Sequence, residues 1–476
     1  MFRRIIYQCL GAAFLSLSFT ACIPTLVEKT ANSTVPESYN SSQDTVNIAK
    51  MKWDEYFTDP HLTALIDTAL SNNQELNITL QELEIARNEV QAKKGEYLPS
   101  VGIRAGVGAE KSARYTRDGV VEANNEIEPG KEFPEPLGDL MLGAYATWEV
   151  DIWHKLRNAK KSAFTRYLSS IEGRNFMVTN LIAEIANSYY ELLALDNQLD
   201  IVKQNIEIQS NALRIVRRQK EATQVTELAV RRFEAQVLYT RSLQFDIQQQ
   251  IIETENRINF LIGRYPQPIP RNTDLFNNLV PKSIQTGIPA QLLENRPDIR
   301  QAEMELEAAK LDIKVAKARF YPSLGITAGV GLQGFNPAYL VKAPESILYS
   351  LAGDIAAPLI NRNELKATYA NANAKQIQAV YNYERTILNA YIEIANQLSN
   401  ISNLENSYDL KSQQVDALTE SITISNKLFN SARADYMEVL LTQRDALESR
   451  FELVETKKQQ MNALVNMYKA LGGGWN

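Results

Sequence analysis

The two halves of the chain have similar sequences, and this internal repeat restricts the possible folds more than any other feature does. Residues 86–108 align without gaps to residues 309–331, with ten identities in 23 positions. The sequence Glu-Ile-Ala-Asn at residues 184–187 returns at residues 393–396. Each half therefore carries the same order of elements, and a proline-rich stretch, residues 264–288, joins the two halves.

Two long tracts, one in each half, are almost free of the residues that interrupt helices. One glycine, Gly173, and no proline lie between Lys155 and Gly263, and neither residue type lies between Asn361 and Leu471. Apolar residues recur in both tracts at a spacing near 3.5, which is typical of a coiled-coil seam. The sequence therefore predicts long helices in both tracts.

Each tract is too long for one helix, and a patch of small and polar residues offers each a place to reverse. The predicted turns are residues 222–225 and 431–434, and the predicted arms are residues 156–222, 226–262, 364–430 and 435–471. At 1.5 Å per residue, the longer arms would reach roughly 100 Å and the shorter arms about 55 Å. The predicted helices 62–96 and 289–319 would complete the shorter arms.

Four stretches of strict alternation lie between the helices, at residues 101–110, 142–152, 324–333 and 347–356. Each has about ten residues, the length of a tilted strand that crosses a bilayer. A half-buried sheet in a water-soluble domain is the alternative. Four strands cannot close a barrel alone, and open edges cannot lie unpaired in hydrocarbon, so the membrane interpretation requires several copies of the chain. The connections 111–141 and 334–346 would then face the outside.

The first 21 residues have the pattern of an export signal, in which Arg3 and Arg4 precede an apolar run. The stretch 19–22 has the pattern of a bacterial lipidation site, so we predict that Cys22 is acylated. The alternative is a cysteine that merely follows a signal cleavage site. Cys9 lies in the removed peptide, so no disulfide framework is predicted.

Composition and motifs exclude several classes of function. The net charge of -6 predicts no basic face for nucleic acid or anionic lipid. The two histidines, His61 and His154, lie far apart and have no neighbours at ligand spacing. We find no phosphate loop, nucleophile elbow or dinucleotide fingerprint, so the sequence predicts no enzyme, no metal site and no cofactor.

Two segments carry a family resemblance. Residues 53–73, with Trp53, Phe57 and Asp59-Pro60, and the run Arg296-Pro297-Asp298-Ile299-Arg300 are similar to the lipoprotein branch of the TolC-like outer-membrane factors. The resemblance covers nearly the whole chain. It implies a mainly α fold with a small β part, in which duplicated coiled-coil hairpins form a trimeric α-barrel and four strands per chain contribute to a 12-stranded transmembrane β-barrel. The proline and aspartate of the second motif suit the first turn of a helix, so we interpret this motif as structural.

The resemblance also implies a function and partners. Members are outer-membrane exit ducts of tripartite efflux systems for drugs or metal ions, and they work with a periplasmic adaptor (membrane fusion) protein and an inner-membrane RND-type pump. The alternatives are the duct of a protein-secretion system and a structural periplasmic lipoprotein without a pore. The predicted parts are a signal peptide (1–21), a lipidated segment (22–61), the first repeat (62–263), the linker (264–288) and the second repeat (289–476).

Site residues follow from the resemblance, position by position. Glu438 matches an acidic ring at the periplasmic mouth, and Arg433 and Asp435 would pair between copies to hold the mouth shut. The next acidic position falls on Leu441, which leaves one ring or two open. The alternative is a solvated helix end with no gating role. The implied adaptor contacts are the hairpin tips: Ala222, Thr223, Gln224, Val225, Ser431 and Ala432.

Overall fold

Helices dominate the computed structural model, which describes residues 23–39, 46–273, 276, 286–431 and 433–475. The predicted signal peptide, Cys22 and Ala432 lie outside the described residues. The helices are α1 (Trp53–Tyr56), α2 (Pro60–Asn72), α3 (Gln74–Tyr97), α4 (Arg117–Asn124), α5 (Lys155–Glu221), α6 (Glu227–Leu261), α7 (Leu292–Asn295), α8 (Pro297–Ala318), α9 (Pro337–Leu340), α10 (Asn363–Asn430) and α11 (Tyr436–Ala470). The strands are β1 (Ser100–Glu110), β2 (Glu126–Glu128), β3 (Lys131–Glu132), β4 (Leu137–Val150), β5 (Ser323–Gly334) and β6 (Ile347–Ala356).

The four long arms are confirmed to within one residue at every end. α5 and α10 are the longer arms, with 67 and 68 residues, and α6 and α11 are the shorter arms, with 35 residues each. Thr226 begins α6 as a helix cap, because its side chain accepts a hydrogen bond from the backbone N–H of Ala229. None of the described helices is both long and apolar enough to cross a lipid bilayer.

The predicted helices 62–96 and 289–319 were wrong as single helices. Asn73 separates α2 from α3: its side chain donates to the carbonyl of Leu261 and accepts from the N–H of Leu76, both at 2.8 Å. Arg296 is extended between α7 and α8 because Pro297 follows it. A buried helix cap divides the first segment into two helices, and a proline divides the second. The apolar pattern of the sequence continues across both breaks and does not reveal them.

The four longer strands form one antiparallel sheet in the order β1-β4-β5-β6. Its register places Val101, Ala146, Ala328 and Leu351 in one row, and Gly102, Tyr145, Gly329 and Ser350 in the next. Neighbouring rows point to opposite faces, so one face is apolar and the other is polar and rich in glycine. Val101 and Leu351 are more than 70% exposed in the single chain.

The prediction of one strand and those of two connections need correction. β4 was expected at 142–152 but spans Leu137–Val150, because residues 137–141 pair with residues 106–110 of β1. The connection 111–141, expected to be a loop, contains α4 and the small β2-β3 hairpin, and the connection 334–346 contains α9. The other three strands, β1, β5 and β6, match their predicted positions within one residue.

The chain divides into two compact units. The first combines the described residues up to Thr30 with Glu84–Leu168 and Met304–Tyr381, and it contains the sheet. A small apolar core there includes Ile313 and Phe320. The second combines Ala31–Leu83 with Ser169–Glu303 and the residues from Asn382 onward. Its core is larger and is built around buried residues of α5, among them Ile185, Tyr189 and Leu192.

Candidate functional site

The first hairpin turn, residues 222–225, closes as a tight helix end. Thr223 has a left-handed backbone, with φ of 56°, and its N–H donates to the carbonyl of Lys220. The N–H of Gln224 donates to the carbonyl of Gln219 at 2.8 Å. Ala222, Thr223 and Gln224 are exposed, whereas Val225 is half-buried. Three of the four predicted tip residues of this turn therefore have exposed side chains.

The second hairpin turn closes in a similar way. The hydroxyl of Ser431 donates to the carbonyls of Lys427 and Leu428, each at 3.0 Å. The N–H of Arg433 also donates to the carbonyl of Leu428, at 2.9 Å. Ser431 is exposed and makes these bonds only within its own hairpin, so its surface is accessible.

The two tips pack against each other through a small apolar cluster. Val216, Val230 and Phe233 of the first hairpin pack with Val439 and Leu440 of the second. Half-buried residues from both turns border this cluster, namely Val225, Phe429 and Tyr436. The cluster thus joins the ends of the two hairpins, and Val225 is the predicted tip residue that borders it.

An ion-pair network fastens the first hairpin. Glu227 of α6 lies 2.9 Å from Lys220 across the turn and 2.9 Å from Arg231. Glu234 bridges Arg231 at 2.9 Å and Arg217 of α5 at 3.2 Å. The hydrogen bond from Lys220 lowers the pKa of the Glu227 carboxyl, so this carboxylate remains charged further into the acid range.

The second hairpin has lost this network. Positions 209 residues later, which are the equivalents in the repeat, carry uncharged side chains: Asn426, Phe429, Tyr436, Leu440 and Gln443. The charges of the second hairpin sit elsewhere, at Arg433, Asp435 and Glu438, and all three are exposed. Within the described part of the chain, no ion pair joins these three residues to another side chain. Their charges are therefore available to a neighbouring molecule.

Asp435 is the equivalent of Thr226 in the first repeat, but its side chain does not cap the helix that follows. It begins α11 in an extended conformation, and its side chain makes no capping hydrogen bond. Its backbone carbonyl accepts from the N–H of Glu438 at 3.1 Å. Both carboxylates lie at the start of α11, where the helix dipole stabilises negative charge.

Sequence reasoning missed a set of buried polar side chains on α11. Gln443 is 1% exposed, and among the described residues neither atom of its amide group has a hydrogen-bond partner. Ser449 is buried and its hydroxyl also lacks a partner there. In the first repeat the equivalent Thr240 donates to Gln209 at 2.7 Å, but the second repeat has Leu418 in place of that glutamine. A comparison of the two repeats, position by position, could have found this loss.

Two arginines, one buried and one half-buried, join the longer arms to the shorter arms near the ends of α6 and α11 that lie opposite the tips. Arg271 contacts Asp196 of α5 and Glu255 of α6 at 2.5 Å each. Arg296 contacts Glu393 of α10 at 2.8 Å and donates to the carbonyl of Ala470, the last residue of α11. Arg296 is also paired with Asp298. These contacts agree with the structural interpretation of the Arg296-Pro297-Asp298 motif.

A family model described as "Outer membrane efflux protein" matches residues 65–264 and 288–473. The chain is 27% identical to the solvent efflux pump outer membrane protein SrpC of Pseudomonas putida, over 92% of this chain and 91% of that protein. It is 25% identical to the probable outer membrane lipoprotein SilC of Salmonella typhimurium, over 96% and 93%. Among solved structures, the open state of the MtrE outer membrane channel of Neisseria gonorrhoeae superposes with a TM-score of 0.83 at 23% identity, over 96% and 99%.

Proposed function

Because the chain belongs to the outer membrane efflux protein family, we propose that three copies of it form one passive exit duct in the outer membrane. The duct receives drugs or metal ions from a periplasmic adaptor and an inner-membrane RND-type pump, which supplies the energy. Relatives are named for solvents and for cations, which supports a broad range of cargo. Acylated Cys22 anchors each copy in the membrane, and the match to a probable lipoprotein supports this anchor.

The single observation that carries this proposal is the sheet of four strands with one apolar, exposed face. β1 and β6 are its edges and run in opposite directions, so β6 of one copy can pair in antiparallel fashion with β1 of the next. An edge cannot remain unpaired in hydrocarbon. Three copies give twelve strands, whereas two copies give an eight-stranded barrel that side chains would fill.

We propose that the second hairpin is the gate at the periplasmic mouth. Three copies bring three Glu438 carboxylates around one axis, and Arg433 of one copy pairs with Asp435 of the next. The unpaired charges of this hairpin support that assignment, since the first hairpin uses its charges internally. The unbonded amide of Gln443 supports a movable α11, because a buried polar group without a partner costs about 1–3 kcal/mol.

Neutralising the gate should increase its conductance. We expect the Asp435→Asn and Glu438→Gln variants to show a several-fold larger single-channel conductance in planar bilayers than the unchanged protein. Loss of the Arg433–Asp435 pairs relaxes the mouth, and loss of three carboxylates also lowers the preference for cations over anions. Both readouts are measured on the purified protein.

Glu221→Gln is the matched control, because Glu221 is an exposed carboxylate next to the first turn, with no ion pair among the described residues. It should leave conductance and ion preference unchanged. Unchanged behaviour of Asp435→Asn and Glu438→Gln would remove the gate from the proposal. A purified protein that never conducts would favour a structural lipoprotein without a pore.

A further inference from the structure

All four connections between the sheet and the helices emerge from the same end of the sheet. α3 leads into β1, β4 leads into α5, α8 leads into β5, and β6 leads into α10. The register confirms this placement, because Ser100 pairs with Thr147, Val150 with Leu324, and Ser323 with Ala356. Residues close to these connections therefore share one layer of the first unit, which we call the junction belt.

Each connection in the junction belt contributes at least one basic side chain that forms no ion pair with another described residue. Six of these side chains are Lys94, Lys160, Lys161, Lys317, Arg319 and Lys366. Five of them are exposed, and Lys160 is half-buried. Within the described ranges, no acidic side chain forms an ion pair with any of the six. Each lies within eleven residues of a strand end, and none lies more than about two turns, or roughly 10 Å, inside its helix.

Large apolar side chains are exposed in the same layer. Leu98, Ile152 and Trp153 are between 44% and 49% exposed, and Leu359 and Ile360 are 68% and 90% exposed. The ring of Trp153 stacks on Tyr321 with 4.6 Å between the ring centroids, and its indole N–H donates to the carbonyl of Pro322. Aromatic side chains with a polar end are typical of the boundary between lipid and water.

The opposite end of the sheet has the opposite charge balance. Residues 111–136, which connect β1 with β4 there, contain six acidic and four basic residues. The basic layer is thus a local feature of the helix-side end. It also corrects the expectation from net charge, because a net charge of -6 for the whole chain does not exclude a layer in which basic side chains are in excess.

We propose that the junction belt binds the anionic phospholipid headgroups of the membrane leaflet nearest the helices. Ammonium and guanidinium groups pair with lipid phosphates, while Trp153 and the aliphatic side chains enter the first part of the acyl layer. A free phosphate or a nucleic acid would leave these apolar side chains uncovered. This inference rests on the proposed function, because it requires the apolar face of the sheet to cross the membrane.

The test compares two sets of charge changes in the complete, assembled protein. The belt variant combines Lys317→Glu, Arg319→Glu and Lys366→Glu, and a milder form replaces the same residues with glutamine. The control variant combines Lys203→Glu, Arg218→Glu and Lys427→Glu, which change the same charge on exposed residues of the second unit. Native mass spectrometry counts the phosphatidylglycerol and phosphatidylcholine molecules retained by each protein from equimolar mixtures.

We expect the unchanged protein and the control variant to retain phosphatidylglycerol in several-fold preference to phosphatidylcholine. The glutamine variant should lose most of that preference, and the glutamate variant all of it. Equal retention by the belt and control variants, or no preference in the unchanged protein, would overturn the inference. Displacement of the lipid by an equal concentration of inorganic phosphate would also overturn it, because the site would then recognise phosphate alone.

Conductance in planar bilayers separates this inference from the proposed function. If the unchanged protein conducts ions but shows no lipid preference, the lipid inference is wrong and the proposed channel function is retained. If the unchanged protein does not conduct, the channel itself fails.

Discussion

Replacing Gln224 with tryptophan should abolish drug or metal export while the trimer still assembles. Gln224 is exposed at the tip of the first hairpin, and its backbone bonds hold the turn in one shape. A helix tip that docks against another helical hairpin needs small side chains for close approach, and an indole would hold the two apart. Export is measured by the susceptibility of cells that carry the variant, and assembly by the mass of the detergent-extracted protein.

Gln204→Trp is the matched control for this prediction. Gln204 is an exposed residue of α5, twenty positions before Gln224 and therefore about 30 Å along the helix. The control should retain full export. Ser431→Trp should reproduce the loss of export at the second tip. Intact export in Gln224→Trp and Ser431→Trp cells would exclude the tips as the adaptor contact.

Replacing Leu351 with lysine should prevent assembly in the membrane. Leu351 lies in the middle of β6 on the apolar face, where it is 79% exposed in the single chain. A lysine in the middle of a bilayer costs about 2–4 kcal/mol, so three copies would cost roughly 6–12 kcal/mol. We expect little or no trimer in outer-membrane extracts of cells that express this variant.

The neighbouring substitution Ser350→Lys is the control, since it introduces the same charge on the opposite face. The hydroxyl of Ser350 lies beside Gly329 on the polar, glycine-rich face. That face lines the duct in the proposed barrel, so the variant should assemble and only its ion preference should change. Equal assembly of the Leu351→Lys and Ser350→Lys variants would mean that neither face of β6 meets lipid.

Much of the fold could be predicted from the sequence because the long helices have strong signals. Two tracts that contain no proline and a single glycine, with an apolar spacing near 3.5, predicted the four arms to within one residue. The alternation in the strands was equally informative for β5 and β6, whose faces agree with the observed register. The duplication added a second, independent copy of each signal.

Other features depend on contacts that a periodic pattern does not contain. Asn73 interrupts the helix because its side chain bonds Leu261, which is 188 positions away. β4 begins at Leu137 because its first five residues find partners in β1, although Gly138 and Asp139 break the alternation. α4 lies in a connection whose polar composition resembles that of a loop.

The candidate site was predictable in position and less so in chemistry. The turns and the charges of the second hairpin follow from composition and family resemblance. The difference in ion pairing between the two hairpins could not be predicted in this way. It depends on the ion pairs that Glu227 and Glu234 form with three basic residues in the folded chain. The buried, unbonded Gln443 required the packing of α11 to be known.

The most direct test is the mass of the purified protein in a mild detergent. The exposed apolar face of the sheet and its two open edges require more than one copy, and the proposed barrel predicts a particle that contains three copies of the chain. A stable particle of one copy would contradict a closed barrel and, with it, the exit duct.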